Sequence, residues 1–224
     1  MSRGLGDVYK RQMNNSLAPI RSITDSLQAL LSRDPRPADW EEDARRGIAV
    51  IRDRSAALGR FMEAYSRLAR LPPPKPAPVA LGPLVHRIAG LETRLSVGVV
   101  DGPEVELNAD ADQLEQLLIN LVRNGADAAL ETGGGVQVGW ERGPGAAGEL
   151  RVWIEDEGPG LPSSANLFVP FFTTKPGGSG IGLVLCRQIA EAHGGSLTLE
   201  NRGEGTGCRA LLRLPTAGPA RSQS

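Results

Sequence analysis

Aromatic residues make up only 4% of the 224 residues, which leaves Leu, Val, Ile and Ala to build any core. Cysteine is nearly absent too. Cys186 and Cys208 lie in apolar contexts without metal-ligand spacing, so neither a disulfide scaffold nor a zinc site is encoded. Both read as buried free thiols of a reducing cytoplasm. No run approaches the roughly 20 apolar residues that a membrane helix needs, and no signal peptide is visible. The expectation is a cytoplasmic chain without membrane contact, whose parent is free to be membrane-anchored elsewhere. A formal net charge of −1 offers no basic surface to nucleic acid. The familiar nucleotide signatures are missing as well. Lys175 has no GxxxxGK frame around it, and a GxGxxG count from Gly178 and Gly180 puts Leu183 where the last glycine belongs.

What the chain does have is glycine in two clusters, DEGPG at 156–160 and GGSGIGL at 177–183, with an apolar patch from Phe168 to Phe172 between them. Glycine lets a backbone approach a ligand closely and leaves amide N–H groups free to face phosphate oxygens. The first cluster ends the alternating run Leu150, Val152, Ile154, a strand pattern that carries Asp156 at its tip. The second opens Ile181–Cys186, the start of a helix, whose N-terminus attracts anions. An acid at a strand end, a glycine loop and a helix dipole together point to a nucleotide site.

Taken in order, the chain divides in two. Residues 1–12, MSRGLGDVYKRQ, have no clear periodicity and read as a leader or a foreign junction. From Met13, the residues Leu17, Ile20, Thr24, Leu27 and Leu31 follow a heptad seam, with Pro19 inside it. Ala44, Ile48, Ile51, Ser55, Leu58, Met62, Tyr65 and Ala69 repeat that seam after the break at 33–37. A two-helix hairpin over 13–71 buries only part of such seams; a second copy completing a four-helix bundle buries the rest, so a homodimer is expected. The Pro-rich stretch 72–78 is a stiff linker. Residues 79–215 read as α/β: strands at 79–81, 95–100, 105–108, 136–140, 150–155, 196–200 and 207–214, with helices at 83–93, 110–131 and 181–193. The tail 216–224 is expected to be disordered. The fold class is α+β: a helical hairpin followed by an α/β sandwich, a mixed sheet with helices on one face.

Four stretches in order then carry a resemblance: NLVRNGADAA at 120–129, Asp156–Gly160, Phe168–Lys175 and Gly178–Leu183. Together they resemble the ATP-binding domain of bacterial two-component sensor histidine kinases, part of the superfamily that includes Hsp90, gyrase B and MutL. The resemblance covers residues 13–215. It implies ATP and magnesium as ligands, a response-regulator receiver domain as partner and phosphoryl transfer as activity. Asn120 and Asn124 share a helix face. A neutral amide oxygen is a hard ligand suited to magnesium; the resemblance makes Asn124 that ligand and Asn120 a nearby nucleotide contact. Asp156 would accept the hydrogen bond of the adenine amine, with Gly158 and Gly160 shaping the turn below the base. Gly178, Gly180 and Gly182 would cradle phosphates, Lys175 would either neutralise their charge or face water, and residues 161–177 would form a lid hinged at Phe171 and Phe172. Thr206 and Gly207 match a motif that supports the adenine pocket. Arg123 and Asp127 are either nucleotide contacts or surface residues. His86 and His193 read as structural, His193 as a cap on the last turn of its helix.

One departure matters. Relatives carry a phosphoacceptor histidine followed by an acid on the first helix, and here Arg11 and Gln12 stand at those positions. Arginine stays protonated and is no nucleophile; glutamine cannot take a proton as a base. Asn15 matches the position that helps some relatives dephosphorylate their partner. Two readings follow: a kinase core whose parent carried the histidine, or a pseudokinase that holds ATP and a regulator without transfer.

Overall fold

The computed structural model describes residues 2–35, 37–69, 71–144, 148–161, 167–170, 172–173, 175, 180–203 and 205–216; of 2–16, 60, 61, 63–65 and 67–69 it describes the backbone alone. The chain forms two compact units, one of residues 1–70 with 173–179, the other of 71–172 with 180–224.

The first unit is a pair of helices, α1 (Ser2–Leu31) and α2 (Trp40–Ala69). α1 starts at Ser2, not at Met13, so the stretch without apolar periodicity is helical backbone nonetheless. It also runs through Pro19 without ending there. Leu27 meets α2 at Gly47, where an added Cβ would stand 3.0 Å from a Leu27 methyl. Ile20, Ile23, Leu27 and Leu30 are half-buried against α2, so the contact stripe is shifted by one residue from Thr24 and Leu31 of the expected seam. No described side chain of this unit is fully buried, and Leu17, Leu31, Ile48, Val50 and Met62 are exposed. Two helices alone give these residues only one neighbour to pack against.

The second unit begins with β1 (Ala77–Ala80) and α3 (Leu81–Leu91), followed by β2 (Val97–Val100), β3 (Glu106–Ala109) and α4 (Ala111–Thr132). β4 (Val136–Arg142), β5 (Glu149–Asp156), α5 (Gly182–Ala192), β6 (Ser196–Asn201) and β7 (Cys208–Pro215) complete it. Five strands form one sheet in the order β2-β4-β5-β7-β6, in which only β2 and β4 run parallel. β1 and β3 form a separate antiparallel pair, a division that the strand pattern did not reveal. The expected mixed, mostly antiparallel sheet is present, with element ends shifted by at most two residues. The larger correction is at the linker: Ala77 and Pro78 belong to β1, and Leu81 opens α3 instead of ending a strand.

Alternation in β5 puts Leu150, Val152, Ile154 and finally Asp156 on the helix-covered face, all buried. α4 answers with Leu114, Leu117, Leu118, Leu121, Val122, Ala126 and Ala129, and α5 with Val184, Leu185, Ile189 and Ala190. Each fully buried aliphatic side chain contributes about 1.5–3 kcal/mol. The aliphatic core expected from the shortage of aromatics is what the fold contains.

Both ends of α4 are anchored. The Asp110 side chain accepts the Gln113 N–H at 3.1 Å as an N-cap and the Lys75 N–H at 2.9 Å, and the Gln113 amide donates to Pro72 O at 3.0 Å. Burial acts to raise the Asp110 pKa, but the amides of Lys75, Gln113 and Asp112 outweigh it and hold the carboxyl below its ordinary value. His193 lies buried beside this end. Its Nδ1–H donates to Ile189 O at 2.8 Å while Nε2 accepts the Asp110 N–H at 3.1 Å, so the ring caps the last turn of α5. His86 Nε2 lies 2.7 Å from Asp101 Oδ1, beside the Trp140 ring. The segment 217–224 falls outside the described residues, whereas Thr216 is held by Gly148, its N–H donating to Gly148 O at 2.6 Å. Among the described residues no helix is long and apolar enough to cross a membrane.

Candidate functional site

Asp156 is a carboxylate at the end of a buried apolar face, 6% exposed. Such a group needs hydrogen bonds. Its Oδ1 accepts the Gly158 N–H at 2.9 Å and the Cys208 N–H at 3.2 Å. The first bond closes the turn that follows β5; the second comes from β7, across the sheet. One oxygen is thereby fixed by the backbone of two glycine loops, and the orientation of the carboxylate is set before any ligand arrives.

The turn is pressed onto α4. Gly158 packs so closely that an added Cβ would lie 2.6 Å from the Ala128 Cβ. Glu157 exchanges backbone and side-chain hydrogen bonds with Gly135, and Thr132 Oγ1 donates to Glu157 O at 2.7 Å. Deeper in the helix, an added Cβ on Gly125 would meet the Asp156 Cβ at 3.6 Å. This puts Gly125, and Asn124 beside it, at the level of the buried acid. Asn124 is half-buried and makes no side-chain hydrogen bond to another described residue. Asn120, one turn earlier, lies beside the Cys186 thiol, which donates to Leu117 O at 3.5 Å. The first turns of α5 therefore lie against the asparagine face of α4. Gly180 has φ of +63° and Gly182 is the first residue of α5, so the free N–H groups of that helix begin here.

Gly125 stands mid-helix, where glycine costs about 1 kcal/mol relative to alanine. The distance leaves ordinary van der Waals room. Gly125→Ala is expected to raise thermal stability by about 0.5–1 kcal/mol with nucleotide binding unchanged; thermal unfolding with and without nucleotide checks both.

The two cysteines are free and buried, as expected. Burial pushes both thiols up to about 12, assisted at Cys208 by the Asp156 charge and opposed at Cys186 by Asn120. Neither is a thiolate at neutral pH, so neither is a nucleophile. Beside the two asparagines on α4, Asp127 pairs with Arg94 Nη1 at 2.6 Å and Arg123 is exposed. The Arg94 guanidinium also grips Glu92 and holds that carboxyl down to about 2.

Several other expected residues fall in the first unit or outside the described residues. Arg11, Gln12 and Asn15 fall on α1, with side chains outside the described residues. Lys175 lies in the segment 173–179 that groups with the first unit. Gly178 and Phe171 are outside the described residues, as is most of the segment read as a lid. Thr206 is exposed in the turn before β7, while Gly207 beside it touches Asp156: an added Cβ there would stand 1.9 Å from Asp156 O. No motif or spacing points to Asn201 and Arg202. Asn201 Oδ1 accepts the Leu161 N–H at 2.7 Å, and Arg202 Nη1 reaches Asp156 O at 3.5 Å.

Comparisons with known proteins agree with this geometry. Residues 109–218 match the family described as histidine kinase-, DNA gyrase B-, and HSP90-like ATPase. The chain is 29% identical to sensor protein kinase PilS of Pseudomonas aeruginosa over 92% of its own length and 40% of PilS. It is 28% identical to the sensory histidine kinase/phosphatase NtrB of Rhizobium meliloti over 93% of its length and 58% of NtrB. Among solved structures, the catalytic domain of histidine kinase ThkA superposes with a TM-score of 0.55 at 29% identity, covering 64% of this chain and 97% of that domain. The second unit carries an ATP-binding domain of the sensor histidine kinase type. The chain spans between two and three fifths of the length of these two relatives.

Proposed function

We propose that this chain is the kinase core of a two-component sensor histidine kinase. It binds ATP, and its parent moves the γ-phosphate to a histidine and on to an aspartate of a response-regulator receiver domain. The observation that carries the reading is the buried Asp156 carboxylate, with Oδ1 tied to two backbone amides at the rim where α4 and the glycine loops meet. An acceptor so fixed suits the exocyclic amine of adenine.

Asn124, Gly180 and Gly182 hold and orient the phosphates in this reading, with Asn120 close by, Thr206 at the adenine end and Lys175 and Gly178 on the phosphate side. Asn124 also suits magnesium. Among the described residues no group of three or more His, Cys, Asp and Glu side chains forms a metal cage. When bound, magnesium neutralises phosphate charge. In the transfer the bond from the γ-phosphorus to the bridging oxygen breaks, ADP leaves with its electron pair, and a histidine nitrogen forms the new bond to phosphorus.

Arg11 and Gln12 stand where the acceptor histidine and its acid belong, so this chain is expected not to label itself there. Asn15 would serve the reverse reaction. The exposed apolar residues of α1 and α2 support a homodimer that completes a four-helix bundle on the cytoplasmic side. Arg11 and Gln12 also favour a second reading, an ATP-binding pseudokinase that holds a regulator without transfer.

Incubation with γ-labelled ATP and magnesium separates the two, comparing the chain with an Arg11→His, Gln12→Glu version beside binding of a fluorescent ATP analogue. Binding by both with acid-labile label on the repaired chain alone is the expected result. Binding without label on either favours the pseudokinase. No binding by either sinks the assignment.

A further inference from the structure

The turn after β5 is held at its start by Asp156 itself and along α4 by Gly135 and Thr132. Its exit is held from a different place. Asn201, the last residue of β6, accepts the Leu161 N–H on Oδ1 at 2.7 Å across a separation of 40 residues. Gly160 takes φ of +84°, and a Cβ added there would stand 2.9 Å from that same Oδ1. The next residue reinforces the clamp. The Arg202 N–H donates to Gly207 O at 3.1 Å, its guanidinium reaches Asp156 O, and Glu155 and Glu157 lie 3.8 and 3.7 Å from its nitrogens. The end of β6 therefore grips both sides of the acid: its carbonyl through Arg202 and the way out of its turn through Asn201.

We propose that Asn201 is a positioning residue of the nucleotide site: by accepting the Leu161 N–H it fixes the turn 157–161 against Asp156 and so sets nucleotide affinity. The inference rests on the reading of Asp156 as the adenine contact. Asn201 touches no base in this account. It acts through the backbone, removing alternative exits from Gly160 that an unrestrained glycine would sample. Preorganised turns bind more tightly because less ordering remains to be done on binding.

The test compares Asn201→Leu, of similar size and without the acceptor, with Asn201→Asp, which keeps it. Amide hydrogen exchange at Leu161, Gly158 and Cys208 is read beside the affinity for a fluorescent ATP analogue. In Asn201→Leu the Leu161 amide loses its protection while Gly158 and Cys208 keep theirs, and the analogue binds about three- to tenfold more weakly, the range of one hydrogen bond. Asn201→Asp retains Leu161 protection and most of the affinity. A merely structural role would instead loosen all three amides together and lower the thermal midpoint. Unchanged affinity in Asn201→Leu overturns the proposal. So does fast Leu161 exchange in the unaltered chain, a result that needs no variant to fold. If the unaltered chain fails to bind the analogue, the ATP reading falls and takes the affinity claim with it; Leu161 exchange then still decides the clamp.

Discussion

Asp156→Asn is expected to fold, keep its turn, and lose ATP binding by about a hundredfold. The backbone decides this outcome. Oδ1 accepts two N–H groups, from Gly158 and Cys208, and only the carbonyl oxygen of an asparagine can take that place. The amide nitrogen is then forced into the position of the second carboxylate oxygen. A donor would face the adenine amine, itself a donor, and the site would lose a charge-assisted hydrogen bond while gaining a repulsive pair. A loss of about 2.8 kcal/mol, twice the roughly 1.4 kcal/mol of a tenfold change, is within reach of such a reversal. The same reversal creates a partner for guanine, which offers a carbonyl oxygen at that edge. The ratio of ATP to GTP affinity should therefore drop further than ATP affinity alone would require. Titration of both nucleotides, with circular dichroism as a check on the fold, measures it. Full ATP affinity in Asp156→Asn would show that the acid serves the architecture and not the base.

Much of this site was legible because it is local. The alternation Leu150, Val152, Ile154 dictates which way Asp156 points, and the buried face of β5 ends on it as the spacing requires. The helix expected over 110–131 is off by one residue at each end, and Asp110, its expected first residue, is the N-cap. The four glycine and asparagine motifs identified the ligand class only in combination, since each alone is compatible with a surface loop or a solvated helix face.

The remainder was illegible because it depends on pairings between distant segments. No periodicity says that β1 pairs with β3 and stays out of the main sheet, or that Pro78 can sit opposite Asn108 in that pair. The Asp101 partner of His86 and the Arg94 partner of Asp127 are contacts between elements, invisible to spacing. Asn201 illustrates the limit best. An asparagine at the end of a strand reads as a turn residue, and only the sheet order β5-β7-β6 brings it back to the exit of the β5 turn. The start of α1 failed for the opposite reason: residues 2–12 lack an apolar stripe, yet helical backbone needs no stripe to form.

Gly207→Ala is expected to be the most damaging single methyl in the domain. At φ of +122° the backbone occupies a region that L residues rarely adopt, a strain of about 1–3 kcal/mol. The methyl would also stand 1.9 Å from Asp156 O and 2.9 Å from its carbonyl carbon, so one strand must move. Neither can move cheaply. Gly207 O accepts the Arg202 N–H, Cys208 N donates to the Asp156 carboxylate, and Asn201 pairs with Cys208 in the β6–β7 ladder. Destabilisation of about 3 kcal/mol or more, with loss of ATP-analogue binding in whatever folds, is the expected result; denaturant unfolding reads the first and titration the second. Gly203→Ala is the control. It lies in the same hairpin without a positive φ, and nothing comes within 4 Å of an added Cβ. It should change stability by no more than about 0.5 kcal/mol. Equal effects at the two positions would mean that the hairpin as a whole is intolerant. A large effect at Gly207 alone locates the intolerance at its contact with Asp156, and with it the claim that the glycine loop and the acid are built as one unit.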